Sequence, residues 1–436
     1  AKLKKGADSL KYRETIMLKL INVSNRLPVT VGKTIQKSSG GLASALEGIE
    51  QDYDFRWIGW AGGVVDDEQR YRVTEQLIAQ YNYFPVFLNE REEQDYYNGF
   101  ANTTLWPLLH YHSQFSGYEE SWFEQYSEVN RRFAESVSEM AEQGDIVWVH
   151  DYHLMLVPQI LRELRSDLRI GFFLHTPFPS YEIFRCHPNR EDLLQGLLGA
   201  DLIGFQTFGY LRHFRSTILR VMGIESEIGE IASEHYLTKI GVYPIGINSI
   251  KFLDEMRTEA YSNCLNEFRQ AYNGKTVILN VERLDYTKGL PHKLNAIEEF
   301  LDDIDEAMRD AVVFIFIAVP SRTDVSEYSQ LLQEIERRVS QINGKYSTLT
   351  NTPIHFMNKS VGSFSELCAL YSLSDVAMVT PLIDGMNLVA KEYIACQQDK
   401  NGVLILSEFA GVAQELPNAL IVNPYNHNEV AKTLHH

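Results

Sequence analysis

Short apolar runs rich in β-branched residues alternate with longer stretches of helical periodicity along the whole chain. That alternation predicts parallel sheets covered by helices. In the first half Met17 to Val23, Ile146 to Val149, Ile170 to Leu174 and Leu202 to Phe205 read as strands. In the second half the strands are Thr276 to Asn280, Val312 to Ala318, Ile354 to Met357, Val376 to Val379 and Val403 to Leu406. Helical patterns lie between them, as over Lys288 to Leu301 and Val325 to Ile342, and no repeat, heptad or low-complexity tract interrupts the series. The stretch Val242 to Asn248 ends one series and precedes the next, and its Pro244 and Gly246 suit a crossing linker. The chain is also longer than the roughly 250 residues one core usually organises. The expected fold class is therefore α/β, with two doubly wound, Rossmann-like domains over residues 1–243 and 244–436. Such domains would bind ligands in the cleft where the carboxyl ends of their strands face each other.

Charge narrows the partners. Lys and Arg total 40 against 58 Asp and Glu, a formal charge of -18, so the average surface repels nucleic acid and any anionic substrate needs a locally basic pocket. Cys186, Cys264, Cys368 and Cys396 lie far apart with no CxxC pair, which argues against a zinc site or a disulfide framework and for reduced thiols in the cytoplasm. The longest apolar run, Ala311 to Val319, is too short to span a bilayer, and the lysine-rich start lacks the apolar stretch of a signal peptide. No membrane partner is expected. The sequence opens without Met and stops at His435-His436 inside a helical pattern, so a longer protein with a further domain beyond the C-terminus is one expectation.

The chemistry-bearing residues fall just after predicted strands. Ser24-Asn25-Arg26 follows the first, and Ser38-Ser39-Gly40-Gly41 precedes a helical stretch; paired glycines let backbone N–H groups approach a phosphate or sugar, although a plain strand-to-helix turn reads the same way. His150-Asp151-Tyr152-His153 and His175-Thr176-Pro177 end two adjacent strands and would bring Asp151 and His175 to one edge, where hydroxyl-rich ligands find fixed donors and acceptors. Their spacing matches no metal motif, and His150 also reads as a buried structural residue. Val281 to Gly289 sends Arg283 and Lys288 from a strand end toward a phosphate-sized site, without the Walker A pattern. Pro381 to Glu392 joins a strand to a helix expected to start near Gly385. Asp384 would then lie at the helix mouth, with the N–H groups of Gly385, Met386 and Asn387 aimed at an anion and Leu388 and Glu392 on one face.

With Trp57 to Trp60, Tyr96-Tyr97-Asn98, Leu105-Trp106-Pro107 and Ser321-Arg322 in the same order, these motifs resemble those of the trehalose-6-phosphate synthases over about Leu20 to Leu434. That family consists of retaining, metal-independent glycosyltransferases with two Rossmann-like domains (the glycosyltransferase B-type fold). The resemblance implies transfer of glucose from UDP-glucose to glucose 6-phosphate, with no cofactor. It implies an acceptor site of Arg26 and Arg322 on the 6-phosphate, Trp60, Tyr97 and Trp106 around the sugar, and Asp151 on its hydroxyls. On the donor side it implies His175 and Asp384 at the glucose, Arg283 and Lys288 at the diphosphate, Glu392 at the ribose and the backbone near Val361 at the base. Gly40, Gly41, Gly385, Met386, Asn387 and the Leu388 backbone complete that site. A homo-oligomer is an arrangement common in the family. ADP- or GDP-glucose as donor, glycerol 3-phosphate as acceptor, and a catalytically silent sugar-phosphate sensor are the competing readings. The segment between Arg26 and Gly40, carrying Lys33 and Lys37, has its own length. The resemblance also implies a final helix that crosses back to the first domain, which is expected to follow His436.

Overall fold

The computed structural model describes residues 19–31, 35–37, 46, 53–234, 236–321, 326–398 and 402–436. The first half forms a nine-stranded sheet whose third strand, β1 (Lys19–Arg26), is buried at every position before Arg26. On one side of it lie β4 (Asp54–Trp60) and β5 (Tyr83–Val86). On the other lie β6 (Ile146–His150), β7 (Arg169–Leu174), β8 (Leu202–Phe205) and β11 (Leu237–Val242), all parallel. Two short antiparallel strands, β9 (Ser226–Glu227) and β10 (Glu230–Ala232), extend the far edge, and β2 (Val29–Val31) pairs separately with β3 (Ile35–Lys37). The second half is a six-stranded parallel sheet in the order β14 (Ile354–Met357), β13 (Val312–Val319), β12 (Thr276–Arg283), β15 (Val376–Val379), β16 (Val403–Ser407), β17 (Leu420–Val422).

The strands expected from apolar runs all form where the structure describes them, because a parallel strand buried on both faces must be apolar throughout. Two of the unexpected strands carry polar or breaking residues. β4 reads Asp-Phe-Arg-Trp-Ile-Gly-Trp, and β5 holds Pro85 inside it, tolerated because β5 is the sheet's edge.

Each sheet reverses its strand order once, between β1 and β6 in the first and between β12 and β15 in the second. Ligands of open parallel sheets bind at such reversals, outside the strand carboxyl ends. Tyr243 to Asn248 links the two sheets without regular structure, held by the Gln206 amide oxygen on Ile245 N–H (3.0 Å) and by Lys391 Nζ on the Ile245 carbonyl (2.7 Å). The halves touch directly across the cleft. Tyr286, just after β12, packs against His112 and Phe115 of the first half, with ring centroids 5.1 Å away in each case. Among the described residues no helix is long and apolar enough to cross a membrane.

Candidate active site

Arg26 ends β1, and its guanidinium lies 5.2 Å over the Trp60 ring. Gly62, at φ +81°, makes room for it, since a Cβ there would stand 2.4 Å from Arg26 Nη2. Trp60 is buried, donates Nε1–H to the Gly63 carbonyl and meets the Tyr97 ring edge-on at 5.4 Å; Tyr97 in turn stacks on His153 at 5.9 Å. These aromatic groups form a wall beside the end of β1. Tyr97 belongs to Glu93–Leu105, a helix wound with i→i+5 hydrogen bonds, a winding often found at functional sites. Trp106 follows it, with the His110 ring 4.0 Å away.

Asp151 follows β6 at φ 73°, a conformation unusual for a residue with a side chain and typical of strained functional positions. Its Oδ1 accepts the His175 backbone N–H at 3.2 Å. Burial raises the carboxyl's pKa against that bond and the neighbouring His175. The His175 ring meets His150 at 3.0 Å (Nε2 to Nδ1), and His150 Nε2 lies 2.7 Å from Asn22 Oδ1. Burial lowers the pKa of both rings, with the Asp151 carboxylate opposing the shift at His175.

On the facing half, Arg283 ends β12 and reaches across the cleft, 5.8 Å from the Trp106 ring. Lys288 closes the turn Tyr286–Lys288, which Asp285 caps, and its Nζ lies 2.5 Å from Asp384 Oδ2. Asn387 Nδ2 donates to the same oxygen at 3.1 Å. Burial alone would raise the Asp384 carboxyl, but the Lys288 ammonium and these hydrogen bonds hold it below its usual range. The Asp384 carbonyl accepts from Tyr210 Oη (3.0 Å) in the first half and from Gly411 N–H (3.1 Å). Gly385 presses on the His175 backbone so closely that a Cβ would sit 2.0 Å from that carbonyl oxygen. Glu392 receives the Tyr371 hydroxyl on Oε2 at 2.8 Å, and burial raises its pKa against that bond. Val361 lies in the turn after β14, where Gly362 N–H is taken by the Glu366 carboxylate at 2.9 Å.

The structure thus gathers Arg26, Trp60, Tyr97, Trp106, Asp151, His175, Arg283, Lys288, Asp384 and Gly385 around one cleft. Gly40, Gly41 and Arg322 lie outside the described residues. One expectation is corrected: the helix after β15 is Leu388–Ala395 and does not start near Gly385. Asn387, at φ 78°, caps it by accepting Ala390 N–H, so Gly385, Met386 and Asn387 form a turn ahead of it and Asp384 is not at its mouth. Leu388 and Glu392 do share a face of that helix, and Met386 is buried beneath the turn. Sequence reading passed over Asn22, His110, Tyr210 and Tyr371. His110 had a signal, four residues after Trp106 on the same helical turn; its Nδ1 lies 2.8 Å from the Trp106 carbonyl and burial pushes its pKa down to about 3. Among the described residues no three metal-ligating side chains converge.

Two walls of different chemistry thus face each other across the cleft, and the chain is similar to known proteins over nearly its whole length. The chain is 44% identical over 423 residues to an alpha,alpha-trehalose-phosphate synthase [UDP-forming] of Dictyostelium discoideum, covering 96% of this chain and 57% of that one. It thus spans little more than half of that relative. It is 43% identical over 427 residues to the 56 kDa subunit of the UDP-forming enzyme of Saccharomyces cerevisiae, covering 95% of this chain and 86% of that one. The crystal structure of an alpha,alpha-trehalose-phosphate synthase from Burkholderia xenovorans in complex with glucose-6-phosphate superposes with a TM-score of 0.86 at 34% identity, covering 96% of this chain and 91% of that one. The sequence pattern of glycosyltransferase family 20 matches residues 18–436, and the chain belongs to that family.

Proposed function

We propose that this chain transfers glucose from UDP-glucose to glucose 6-phosphate with retention of configuration, giving α,α-trehalose 6-phosphate and UDP. The observation that carries the reading is the pairing of two differently equipped walls. Arg26 and the aromatic groups of Trp60, Tyr97 and Trp106 stand on one half, and Arg283, Lys288, Asp384 and Glu392 on the other, with Arg283 reaching 5.8 Å from Trp106. A phosphorylated sugar suits the first wall and a nucleoside diphosphate sugar the second. The domain boundary follows residue 243, with the acceptor half before it and the donor half after it.

In this reading Arg26 and Arg322 hold the 6-phosphate, Trp60, Tyr97 and Trp106 shape the acceptor pocket, and Asp151 orders acceptor hydroxyls. His175 and Asp384 hold the donor glucose, with Gly40, Gly41 and the turn from Gly385 to Leu388 around it. Glu392 keeps Oε1 for the ribose while Tyr371 occupies Oε2, and backbone groups near Val361 meet the uracil. The bond from the anomeric carbon to the phosphate oxygen breaks as the acceptor oxygen bonds to the same face of that carbon. The acceptor's proton passes to the leaving phosphate oxygen, so UDP departs and no enzyme nucleophile is needed. Negative charge grows on that oxygen in the transition state, and Arg283 and Lys288 neutralise it. The four free cysteines suit a reducing compartment, and the cytoplasm is the proposed location.

The test is UDP release from UDP-glucose in EDTA, with glucose 6-phosphate present or omitted and the product identified by mass. Release that requires glucose 6-phosphate and yields trehalose 6-phosphate supports the reading. Tight binding of both ligands without release points instead to a silent sensor.

A further inference from the structure

His150 has no role in the chemistry above, yet it is 1% exposed and bonded at both ring nitrogens. Asn22 on β1 pairs in register with Trp148 on β6, so His150, two residues on, leaves the sheet on the same face as Asn22. Asn22 is itself fully buried. Three side chains therefore form a line from the middle of the sheet to the cleft, Asn22 to His150 at 2.7 Å and His150 to His175 at 3.0 Å.

The line has a direction, set by the Asn22 amide, which turns Oδ1 to His150 and leaves Nδ2 buried without a partner. In that orientation Oδ1 can only accept, so the proton between it and His150 belongs to His150 Nε2. A neutral imidazole carries one proton, so His150 Nδ1 is a bare lone pair and can only accept from His175. His175 Nε2 is then the protonated nitrogen. Its Nδ1 makes no hydrogen bond among the described residues and keeps its lone pair. The backbone of His175 is fixed separately, by its N–H on Asp151 and its carbonyl against Gly385. Ring and main chain are thus held by different partners.

We propose that Asn22 and His150 are positioning residues that hold His175 as its Nε2–H tautomer, so that Nδ1 accepts a hydrogen bond from a hydroxyl of the donor glucose. The assignment of the ligand rests on the donor role proposed for His175; the tautomer does not. A protonated His175, or one with its proton on Nδ1, would present a donor there instead and reverse the hydrogen bond to that hydroxyl. With His150 gone, nothing along this line forbids either form, and the nearby Asp151 carboxylate favours the charged one.

Histidine-directed ¹⁵N NMR of the unliganded protein reads the tautomer without any turnover. The expected result is a neutral His175 with its proton on Nε2, lost in His150→Phe, which fills the space without an acceptor, and partly recovered in His150→Asn, whose amide oxygen can stand near the lost Nδ1. Kinetics with UDP-glucose and its monodeoxy analogues reads the consequence. His150→Phe should lower kcat/KM for UDP-glucose about tenfold, as expected for a lost hydrogen bond at the reacting sugar. It should leave the KM for glucose 6-phosphate unchanged and no longer discriminate against the one deoxy donor that the unsubstituted protein disfavours. A His175 proton on Nδ1 in the unsubstituted protein overturns the proposal even if His150→Phe fails to fold. So does a His150→Phe protein that keeps both the tautomer and the donor discrimination. Absence of glucosyl transfer by the unsubstituted protein would instead overturn the proposed function and leave the tautomer to be judged by NMR alone.

Discussion

Lys288 Nζ and Asp384 Oδ2 lie 2.5 Å apart in the cleft, with only 9% and 15% of their side chains exposed. One is assigned to the donor's diphosphate and the other to its sugar, so without ligand each satisfies the other. Removing one member of a buried pair strands its partner and costs about 3–5 kcal/mol. Lys288→Met should therefore destabilise by roughly 3 kcal/mol, the low end because neither group is wholly buried. Pairing it with Asp384→Asn should recover a large part of that loss while both variants stay inactive. Urea unfolding of the two single variants and the double variant measures the coupling. Additive effects would contradict the pair.

Arg283 differs from Lys288 in having no carboxylate partner among the described residues and in lying against an aromatic ring. In the proposed function it meets charge that develops only as the diphosphate leaves. Arg283→Ala should lower kcat about ten- to a hundredfold, roughly 1.5–3 kcal/mol, with a smaller change in UDP-glucose affinity. Arg283→Lys should rescue poorly, because an ammonium lacks the planar fork. Steady-state kinetics beside calorimetric donor binding separates the two terms.

The strands that hold the site were legible because burial on both faces writes an unbroken apolar run, as over Val312–Val319. β4 was not, since Arg56 and Gly59 interrupt its run, although it delivers Trp60 to the aromatic wall beside Arg26. The placement of candidate residues at the cleft was legible where they stand beside a strand end, as Arg26, Asp151 and Arg283 do. The line from Asn22 to His175 was not, because its members stand on β1, on β6 and just after β7, strands whose order along the sheet is set by topology. The helix start misread at Gly385 has a local cause. Asp384 and Asn387 are both good capping residues, and only the folded chain shows Asn387 accepting Ala390 N–H while Asp384 turns to Lys288.

Gly385 meets the His175 carbonyl where the two halves touch, and a Cβ would overlap that oxygen at 2.0 Å. Neither partner is the end of a flexible side chain, so the overlap is relieved only by backbone movement. Gly385→Ala should part the halves at this point, displacing Asp384 from His175 and reducing kcat/KM at least a hundredfold. The two cores lie on either side of the contact, so thermal stability should change by less than it does for Lys288→Met. Activity and melting temperature measured together test this, and near-normal turnover in Gly385→Ala would show that the cleft works in a more open form.

Acid should unfold the protein through its buried histidines before its carboxylates matter. Burial lowers the pKa of His110 to about 3 and of His187 to about 4, and lowers His150 and His175 as well. Unfolded, each binds a proton near its ordinary value of about 6.5. Below that pH the unfolded chain holds more protons than the native one, so stability falls as pH falls. The contribution of these histidines is complete above about pH 6.5 and is lost progressively toward the native values. Each of His110, His187 and His150 should cost on the order of 1 kcal/mol per pH unit, so these three should give a slope approaching about three protons between about pH 6 and 5, to which His175, lowered against the opposing Asp151 carboxylate, adds. Asp151, raised by burial, opposes this only nearer the carboxylate range, and Asp384, held low, adds its loss below that range. Urea midpoints across pH 5 to 7.5 measure the slope. Replacing His187, which lies outside the cleft, by Gln should reduce it by about one proton without changing its sign.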